Sequence, residues 1–326
     1  VAAIATGLRH TCALTQAGML KCWGHNIYGQ LGDGSTTNRA LPVEVSSLAS
    51  DVVNIAAGTY HTCALIAGGA AKCWGANYRG QLGDGSTVSR VTPVDVSGLG
   101  SGMDTITTGA YHTCVVTSAG AAKCWGDNLS GQLGDGSAID RTVPVDVSGL
   151  GSNIATIAAG VVHTCALTHV GAATCWGNNE DGQLGDGSTV NRATPVDVSG
   201  FASGVAAMVG GGLYTCALTH AGAAKCWGDN VSGQLGDGST INRVTPADVS
   251  GLASGVAAIA AGTYHACALT QAGGVTCWGS NGFGQLGDGS TVNRTTPVNV
   301  SGLASGVVAI VAGGYHTCAL TDAGAV

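Results

Sequence analysis

The 13 cysteines of the chain stand at fixed spacings and are the first residues whose chemistry can be read from the sequence. One set recurs every 51 residues, and a second set follows the first by ten residues. The first set is Cys12, Cys63, Cys114, Cys165, Cys216, Cys267 and Cys318. The second set is Cys22, Cys73, Cys124, Cys175, Cys226 and Cys277. Such pairs allow three uses: disulfides, buried free thiols or zinc ligands.

The spacing around the first short turn favours disulfides. A three-residue loop with Gly18 in the left-handed conformation closes a hairpin. Counting back along both strands places Cys12 directly opposite Cys22, within reach of a cross-strand disulfide. Buried thiols stay open as an alternative, whereas zinc sites usually contain CxxC-type knuckles. The expected pairs are Cys12–Cys22, Cys63–Cys73, Cys114–Cys124, Cys165–Cys175, Cys216–Cys226 and Cys267–Cys277. Disulfides in this number predict an oxidising compartment and hence a secreted protein.

A histidine opens the same segment in nearly every repeat. The set is His10, His61, His112, His163, His265 and His316, and Tyr214 takes the remaining position. A ring of imidazoles could bind a metal ion. We interpret these residues as structural instead, because tyrosine keeps a hydrogen bond but is a poor ligand for divalent metals. We expect each ring to bond backbone groups within its own repeat.

Each repeat also carries an aspartate in a "GDGS" turn, an arginine six residues later and a tryptophan after the second cysteine. The aspartates are Asp33, Asp84, Asp135, Asp186, Asp237 and Asp288, and the arginines are Arg39, Arg90, Arg141, Arg192, Arg243 and Arg294. One carboxylate per loop is too few for calcium, and Asp-Gly is ordinary turn chemistry. We expect the arginines to pair with acidic or carbonyl groups between repeats. The tryptophans should pack between adjacent repeats: Trp23, Trp74, Trp125, Trp176, Trp227 and Trp278.

A catalytic site would need a nucleophile, a base and an orienting group that do not simply repeat. The polar residues that occur outside the repeat pattern are His25, His169, His220, Glu44, Glu180 and Arg79. They form no recognisable catalytic set. The glycine-rich stretches precede no helix that could bind phosphate. We therefore expect no catalytic activity, no metal, no cofactor and no small-molecule substrate.

The elements that position these residues are short strands. A period of about 50 residues is typical of propellers, solenoids and arrays. In each repeat "NIAAG", "HTCALT" and "KCWG" are β-compatible runs, and "TPVDV" begins at a proline, as edge strands can. The 55 glycines recur at fixed turn positions and leave no room for helices. Four short strands per repeat predict an all-β propeller of four-stranded antiparallel blades.

Composition excludes some partners. The net charge is -7, and 12 lysines and arginines are spread over the repeats, so we expect no nucleic-acid surface. No apolar run is long enough to predict a membrane span. The sequence has no initiator methionine or signal peptide, which we interpret as a mature protein or a fragment.

The motifs "CWGxNxxGQLGDGS", "PVDV" and "GxxHTCAL" resemble the repeat of the regulator of chromosome condensation family. The resemblance covers the whole chain and implies one seven-bladed β-propeller domain, 1–326. The repeat units would be 1–51, 52–102, 103–153, 154–204, 205–255 and 256–306, followed by a partial unit, 307–326. A complete seventh blade needs about thirty further residues. We expect them before Val1 or after Val326, with a partner for Cys318 among them; a closed six-bladed ring with a free tail is the alternative.

The family resemblance does not fix one function. Family members include a guanine-nucleotide exchange factor that docks on chromatin, a plant photoreceptor and a secreted bacterial inhibitor of β-lactamase. The acidic balance and paired cysteines do not suit a nuclear protein. The photoreceptor's tryptophan position is filled here by Arg9, Tyr60, Tyr111, Val162, Leu213, Tyr264 and Tyr315. The sequence therefore predicts a secreted structural or protein-binding module, with an inhibitor or regulator of a secreted enzyme, an exchange-factor-type regulator and an enzyme as alternatives.

Two positions in the "WGxNxxG" loop vary between repeats while their neighbours stay nearly constant. Loops carry function more often than strands do, although neutral drift is an equal alternative. Aromatic residues and arginine are the usual anchors of protein interfaces. We therefore expect a protein partner, or self-assembly, at Tyr28, Tyr78, Arg79 and Phe283, with Glu180 and Asp181 outside the contact.

Overall fold

The structure is a computed structural model that describes residues 1–48 and 51–326. The regular elements in these ranges are 26 β-strands. The chain repeatedly places alternating small and β-branched residues between glycine turns, which allows short strands and interrupts longer elements. The described ranges contain no helix with the length and apolar character that crossing a bilayer requires.

Each complete blade is built from four strands that are consecutive in the chain. Blade 1 contains β1 (Ala3–Thr6), β2 (His10–Leu14), β3 (Leu20–Gly24) and β4 (Arg39–Glu44). Blade 2 contains β5 (Val52–Ala57), β6 (His61–Ile66), β7 (Ala70–Gly75) and β8 (Arg90–Asp95). Blade 3 contains β9 (Met103–Thr108), β10 (His112–Thr117), β11 (Ala122–Gly126) and β12 (Arg141–Asp146). Blade 4 contains β13 (Ile154–Ala159), β14 (His163–Thr168), β15 (Ala173–Gly177) and β16 (Arg192–Asp197).

The remaining strands form two further blades and one smaller sheet. Blade 5 contains β17 (Val205–Gly210), β18 (Tyr214–Thr219), β19 (Ala224–Gly228) and β20 (Arg243–Asp248). Blade 6 contains β21 (Val256–Ala261), β22 (His265–Thr270), β23 (Val275–Gly279) and β24 (Arg294–Asn299). The last sheet pairs β25 (Val307–Ala312) with β26 (Thr317–Thr321).

Within each complete blade the strands pair antiparallel in chain order. The first strands of neighbouring blades contact one another around the axis, and β25 contacts both β21 and β1. The two-stranded sheet therefore closes the ring between blades 6 and 1. The prediction of four-stranded antiparallel blades is confirmed. The expected seven blades are found only as six, plus this partial seventh sheet, and the alternative of a free tail is wrong.

The hairpins have the register that the cysteine spacing predicts. Gly18 has a φ of 77°, and the Thr15 amide donates to the Met19 carbonyl at 2.9 Å. Cys12 then lies opposite Cys22, with 4.1 Å between their Cα atoms. The structure contains the disulfides Cys12–Cys22, Cys63–Cys73, Cys114–Cys124, Cys165–Cys175, Cys216–Cys226 and Cys267–Cys277. Within the described ranges Cys318 is a free thiol.

The fourth strand begins earlier than the sequence predicted. It starts at an arginine, as Arg39 does for β4, and Pro42 lies in its interior. The proline is tolerated because β4 pairs only with β3 and forms the outer edge of its blade. The register also shifts between Cys22 and Gly24, so the edge strand is irregular and a missing amide donor costs little.

The apolar cores lie between blades. One cluster combines Cys12, Leu14 and Leu31 of blade 1 with Trp74 of blade 2. Trp74 is fully buried, as are its counterparts in blades 3 to 6. The prediction that the tryptophans pack between repeats is therefore confirmed for these five, and each disulfide becomes part of a seam between blades.

Candidate functional site

The loop between the third and fourth strands is held by one buried asparagine. In blade 2 the Asn77 Nδ2 atom donates to Asp84 Oδ1 (3.1 Å) and to the carbonyl oxygens of Ser86 (3.1 Å) and Val88 (3.2 Å). Its Oδ1 atom accepts the Leu82 amide at 2.9 Å. The same bonds recur around Asn26, Asn128, Asn179 and Asn230. The loop is thus fixed by its constant residues, and its two variable side chains are free to differ.

The acidic residue of this loop is satisfied internally. Asp84 accepts hydrogen bonds from Ser86 and from its own repeat's Arg90, which also forms an ion pair with it at 2.9 Å. Burial alone would raise the pKa of Asp84, but these donors hold it below its ordinary value. The expectation that the arginines bridge repeats is wrong, because each pairs with the aspartate of its own loop. The described residues contain no cluster of three potential metal-binding side chains.

The repeated histidines connect blades rather than backbone groups within a blade. His61 Nε2 lies 3.0 Å from Thr113 Oγ1 in blade 3, and that hydroxyl donates to the Gln81 carbonyl at 2.9 Å. The threonine hydrogen is thus committed, so the imidazole must donate from Nε2. Burial lowers the pKa of His61 to about 3, so the ring is neutral. The predicted backbone partner was wrong, although the structural role is as expected.

Four tyrosines meet on the face where the variable loops project, and we call them the tyrosine cluster: Tyr28, Tyr60, Tyr78 and Tyr111. The ring centroids of Tyr28 and Tyr60 are 5.1 Å apart, and those of Tyr78 and Tyr111 are 5.4 Å apart. Tyr28 and Tyr78 lie 6.1 Å apart and connect blades 1 and 2. These separations are typical of interacting aromatic rings. The cluster therefore forms one continuous aromatic surface across three blades.

Each tyrosine presents surface to solvent, and Tyr78 is 45% exposed. Burial of the ring raises the pKa of Tyr78 above its ordinary value, and the neighbouring Tyr111 adds to the increase. The hydroxyl therefore stays protonated at physiological pH. The cluster therefore offers aromatic ring surface to solvent.

Arg79 is less free than the sequence suggested. Its Nη1 atom lies 3.2 Å from Asp140, and its Nε atom lies 3.8 Å from Asp127. Both carboxylates belong to blade 3. Burial and the neighbouring Asp140 charge raise the pKa of Asp127, although Arg79 opposes the change. Arg79 therefore links the edge of the tyrosine cluster to blade 3, and its guanidinium is already paired with Asp140 and Asp127.

Phe283 lies in a second aromatic group. Its side chain is 76% exposed, and its ring centroid is 5.2 Å from that of Tyr315. The Arg9 guanidinium carbon lies 5.9 Å from the Tyr315 ring centre. Phe283, Tyr315, Arg9 and Trp23 line one cavity of about 520 Å³ between blades 6 and 1. The structure thus brings Tyr28 and Tyr78 into contact and places Phe283 in the neighbouring group.

Sequence reasoning did not assign Tyr60, Tyr111 and Tyr315 to a binding surface. All three directly precede the repeated histidine position, which starts the second strand of a blade. In the antiparallel hairpin this start lies opposite the end of the third strand, from which the variable loop projects. That register was available from the predicted hairpin. The signal that could have found them was that the residue before each histidine lies on the same side of the propeller as the variable loops.

The nonrepeating polar residues are not assembled into a catalytic set. His169 and His220 follow β14 and β18, so they lie on the face opposite His25. Glu44 pairs with Lys21 at 3.8 Å on the outer edge strand. His25 Nδ1 accepts from Gln30 at 2.9 Å within its own loop. The structure brings none of these residues together as a nucleophile-base pair.

Comparison with known families identifies the repeat. The model of the regulator of chromosome condensation (RCC1) repeat matches residues 18–65, 73–116, 123–167, 171–218, 225–269 and 272–320. The ultraviolet-B receptor UVR8 of Arabidopsis thaliana is 31% identical over 93% of this chain and 70% of its own length. RUG3, a mitochondrial RCC1 domain-containing protein of the same plant, is 32% identical over 93% of this chain and 75% of its length. The human E3 ubiquitin-protein ligase HERC2 is 30% identical over 98% of this chain, which spans 7% of that protein.

Solved structures show the same architecture. Human WBSCR16 superposes with a TM-score of 0.86 at 23% identity, covering 98% of this chain and 86% of that one. Prp20p of Saccharomyces cerevisiae, which binds Gsp1p and histones, gives a TM-score of 0.84 at 22% identity, covering 98% and 83%. At these identities the comparison establishes the fold alone.

Proposed function

The chain belongs to the RCC1 repeat family, and from that premise we propose that it is a secreted propeller that binds a protein partner or assembles with itself. The contact surface we propose is the tyrosine cluster together with Phe283. The protein would act by presenting this surface, without catalysing a reaction and without a cofactor, metal or small-molecule substrate.

The observation that carries the proposal is the continuity of the tyrosine cluster. Two of its members, Tyr28 and Tyr78, occupy the loop positions that the repeat leaves variable. Aromatic residues that are partly exposed, adjacent and fixed by their neighbours are typical anchors of protein interfaces. Because the loop backbone is fixed by buried asparagines, the surface loses little conformational entropy on binding.

Secretion is supported by the disulfides. Six cross-strand disulfides lie in the seams between blades. A reducing cytosol keeps cysteines as thiols, whereas an oxidising compartment maintains disulfides. The family itself does not decide the compartment, because relatives include a mitochondrial protein. We therefore base the proposed extracellular location on the cysteines of this chain.

Two related roles would use the same face. Inhibition or regulation of a secreted enzyme is supported by the rigid, largely apolar tyrosine cluster, which could cover an active-site entrance. The other role is that of an exchange-factor-type regulator. Prp20p, which has the same fold, binds Gsp1p and histones. We place that role second, because the proposed oxidising location separates this chain from nuclear partners.

We also propose that the working ring has seven complete blades. The two-stranded sheet occupies the seventh position and closes the ring by the bond between His316 Nε2 and Thr11 Oγ1, 3.0 Å apart. A third and a fourth strand would give this position the same composition as the other six.

The test of the binding face is the variant Tyr28→Ala/Tyr78→Ala/Phe283→Ala. We expect it to lose assembly in solution, or capture of secreted proteins, while its melting temperature changes by no more than a few degrees. The matched control is Glu180→Ala/Asp181→Ala/Val231→Ala, which changes loop positions on blades 4 and 5 and should bind normally. Normal assembly and capture by the aromatic variant would show that the contact surface lies elsewhere.

A further inference from the structure

The disulfides of the described ranges do not link one blade to the next. Each of the six joins two cysteines that are ten residues apart on paired strands of one blade, as Cys63 and Cys73 are. Noncovalent contacts cross the seams, such as the bond that Trp74 Nε1 donates to the Gln30 carbonyl at 3.0 Å. A covalent bond between blades would therefore add a constraint that the disulfides do not supply.

The tyrosine cluster places phenol groups on both sides of two seams. Tyr28 of blade 1 lies beside Tyr60 of blade 2, with ring centroids 5.1 Å apart and ring planes inclined by 60°. Tyr78 of blade 2 lies beside Tyr111 of blade 3, at 5.4 Å and 54°. Tilted aromatic rings at these separations are in contact. The two closest pairs of the cluster therefore each cross a different seam.

The two pairs are also connected with each other. The centroids of Tyr28 and Tyr78 are 6.1 Å apart, and those of Tyr60 and Tyr111 are 6.2 Å apart. All four rings are partly exposed, so an oxidant in solution can reach the cluster. Electron transfer between aromatic rings in contact is fast, so a radical formed on one ring can move to another. The four phenols can thus be oxidised as one group.

The remaining tyrosines have no second phenol beside them in the described ranges. Tyr315 lies next to Phe283, at 5.2 Å between centroids, and Tyr214 is fully buried. Tyr264 is 38% exposed but takes part in no aromatic pair of the described residues. Tyr264 therefore shares the chemistry and the exposure of the cluster without its paired arrangement.

We propose that the tyrosine cluster is a site of oxidative crosslinking, in which Tyr28 couples to Tyr60 and Tyr78 couples to Tyr111 to form dityrosine. The oxidant would be hydrogen peroxide, used by a haem peroxidase in the oxidising compartment that we propose from the disulfides. The two bonds would join blades 1, 2 and 3 covalently. This inference goes beyond the proposed binding role, because crosslinking depends on the phenol groups, whereas a docked partner contacts the rings.

The reaction of one pair consumes one molecule of peroxide. The oxidant removes one electron from each phenol, and each hydroxyl group releases its proton, which gives two phenoxyl radicals. The ring carbons next to the hydroxyl-bearing carbons then form a C–C bond. Each of these carbons loses its hydrogen as a proton, and each phenol oxygen regains a proton. The two electrons and two protons that leave the pair reduce hydrogen peroxide to two molecules of water.

Contact between the rings favours coupling within one chain. Two radicals on neighbouring rings meet at a high effective concentration, whereas radicals on separate chains must first collide in a matching orientation. The loop that carries Tyr28 is fixed by Asn26, whose Oδ1 atom accepts the Leu31 amide at 2.9 Å. The ring of Tyr28 therefore stays beside that of Tyr60 while both radicals form.

The experiment treats the dilute 326-residue chain with hydrogen peroxide and a haem peroxidase. We expect the monomer to lose two hydrogen atoms for each link and to gain the fluorescence of dityrosine. After disulfide reduction, trypsin should yield residues 22–39 joined to 40–72, and residues 73–79 joined to 91–123, because it cleaves after lysine and arginine. The crosslinked monomer should unfold at a higher urea concentration, since each link closes a loop in the unfolded chain.

Tyr28→Phe tests the first link, because this change removes one phenol and keeps the ring. The variant should lose the product that joins residues 22–39 to 40–72 and should keep the other product. The matched control Tyr264→Phe removes a phenol outside the cluster and should leave the yield of both products unchanged.

Three results would overturn the proposal: a monomer without dityrosine, crosslinks mainly between chains, or a first link that persists in Tyr28→Phe. Oxidation mainly at the half-buried Trp23 would count as the first of these results. The variant Tyr28→Phe/Tyr78→Phe keeps both rings and should still assemble or capture its partner. Failure of the crosslinking proposal and failure of the proposed binding role therefore give different results.

Discussion

Tyr214 of blade 5 packs in the same buried cluster as Ala266 of blade 6, and together they replace the histidine-threonine pair found in the other seams. The Tyr214 hydroxyl donates to the carbonyl oxygen of His265, across the seam. A histidine in one blade bonds the threonine 52 residues later, and Ala266 is 52 residues after Tyr214. The smaller residue leaves room for the larger ring, so the two substitutions compensate each other.

This relationship predicts strong coupling between positions 214 and 266. Ala266→Thr should destabilise the protein by about 1 to 3 kcal/mol, because the added atoms overpack a fully buried site. Tyr214→His should also destabilise it, because the imidazole would face alanine without a hydroxyl partner. The double variant restores the arrangement of the other seams and should recover most of both losses. Urea unfolding of the four proteins gives the coupling energy.

A matched cycle at a pair in distant blades provides the control. Combining Ala266→Thr with Thr113→Ser should give losses that simply add, since the two sites share no partner. Additive losses for Tyr214→His and Ala266→Thr would contradict the compensating pair.

Much of the fold could be predicted from the sequence because the repeat reports the same geometry several times. The hairpin register followed from Gly18 and the ten-residue cysteine spacing, which are local properties. The partners of His61 and Arg90 could not be obtained in this way. They depend on which blade a side chain faces, and a period alone does not specify that direction. For this reason His61 was expected to bond within its own blade and Arg90 to pair between blades, and the structure shows the reverse.

The candidate site was predictable only in part. Variable loop positions identified Tyr28 and Tyr78, and the structure places their rings in contact. Tyr60 and Tyr111 were missed because they belong to a different segment of the repeat and meet the loops only in three dimensions. The substitution of Ala266 was visible in the sequence, but its meaning required the 52-residue link between a histidine and the following blade.

Stability should fall as the pH decreases below the ordinary pKa of histidine. Burial lowers the pKa of His10, His61 and His112 to about 3, and that of His163 and His265 to about 4. Their Nδ1 atoms have no partner among the described residues, so a second ring proton would be unsatisfied. Unfolded chains bind these protons near pH 6.5, so the stabilising contribution is complete above 6.5. It is lost as the pH falls towards about 4 for His163 and His265, and towards about 3 for the other three histidines.

Each such histidine removes about 1.4 kcal/mol of stability per pH unit once its unfolded form is protonated. Urea unfolding between pH 7.5 and 5 measures the slope, above the range where most carboxyls titrate. The control His163→Tyr/Thr215→Ala copies the pair found at positions 214 and 266 and should lower the slope by about one proton. An unchanged unfolding free energy between pH 7 and 5 would contradict the prediction.

Thr113 should be essential to its seam because its hydroxyl is both acceptor and donor. It accepts from His61 and donates to the Gln81 carbonyl, and it is fully buried. Thr113→Val keeps the shape but leaves the imidazole donor unpaired, so we expect a loss of about 1 to 3 kcal/mol. Thr113→Ser keeps the hydroxyl and should lose less. Equal stability of the valine variant and the native protein would show that the hydrogen bonds of Thr113 to His61 and Gln81 contribute nothing to stability.

The final prediction concerns the thiols. The native chain, unfolded without reductant, should take up one alkyl group, at Cys318, and all 13 cysteines should react after reduction. Removing one bridge, as in Cys165→Ala/Cys175→Ala, should lower stability by about 2 to 3 kcal/mol, because the unfolded chain regains the freedom of a closed loop. Cys318→Ala is the matched control, since that cysteine has no partner in the described ranges and should be nearly neutral. Mass spectrometry counts the alkyl groups, and urea unfolding compares the variants. Twelve or more reactive thiols before reduction would contradict both the disulfides and the proposed secreted location, because that location depends on the cysteines of this chain.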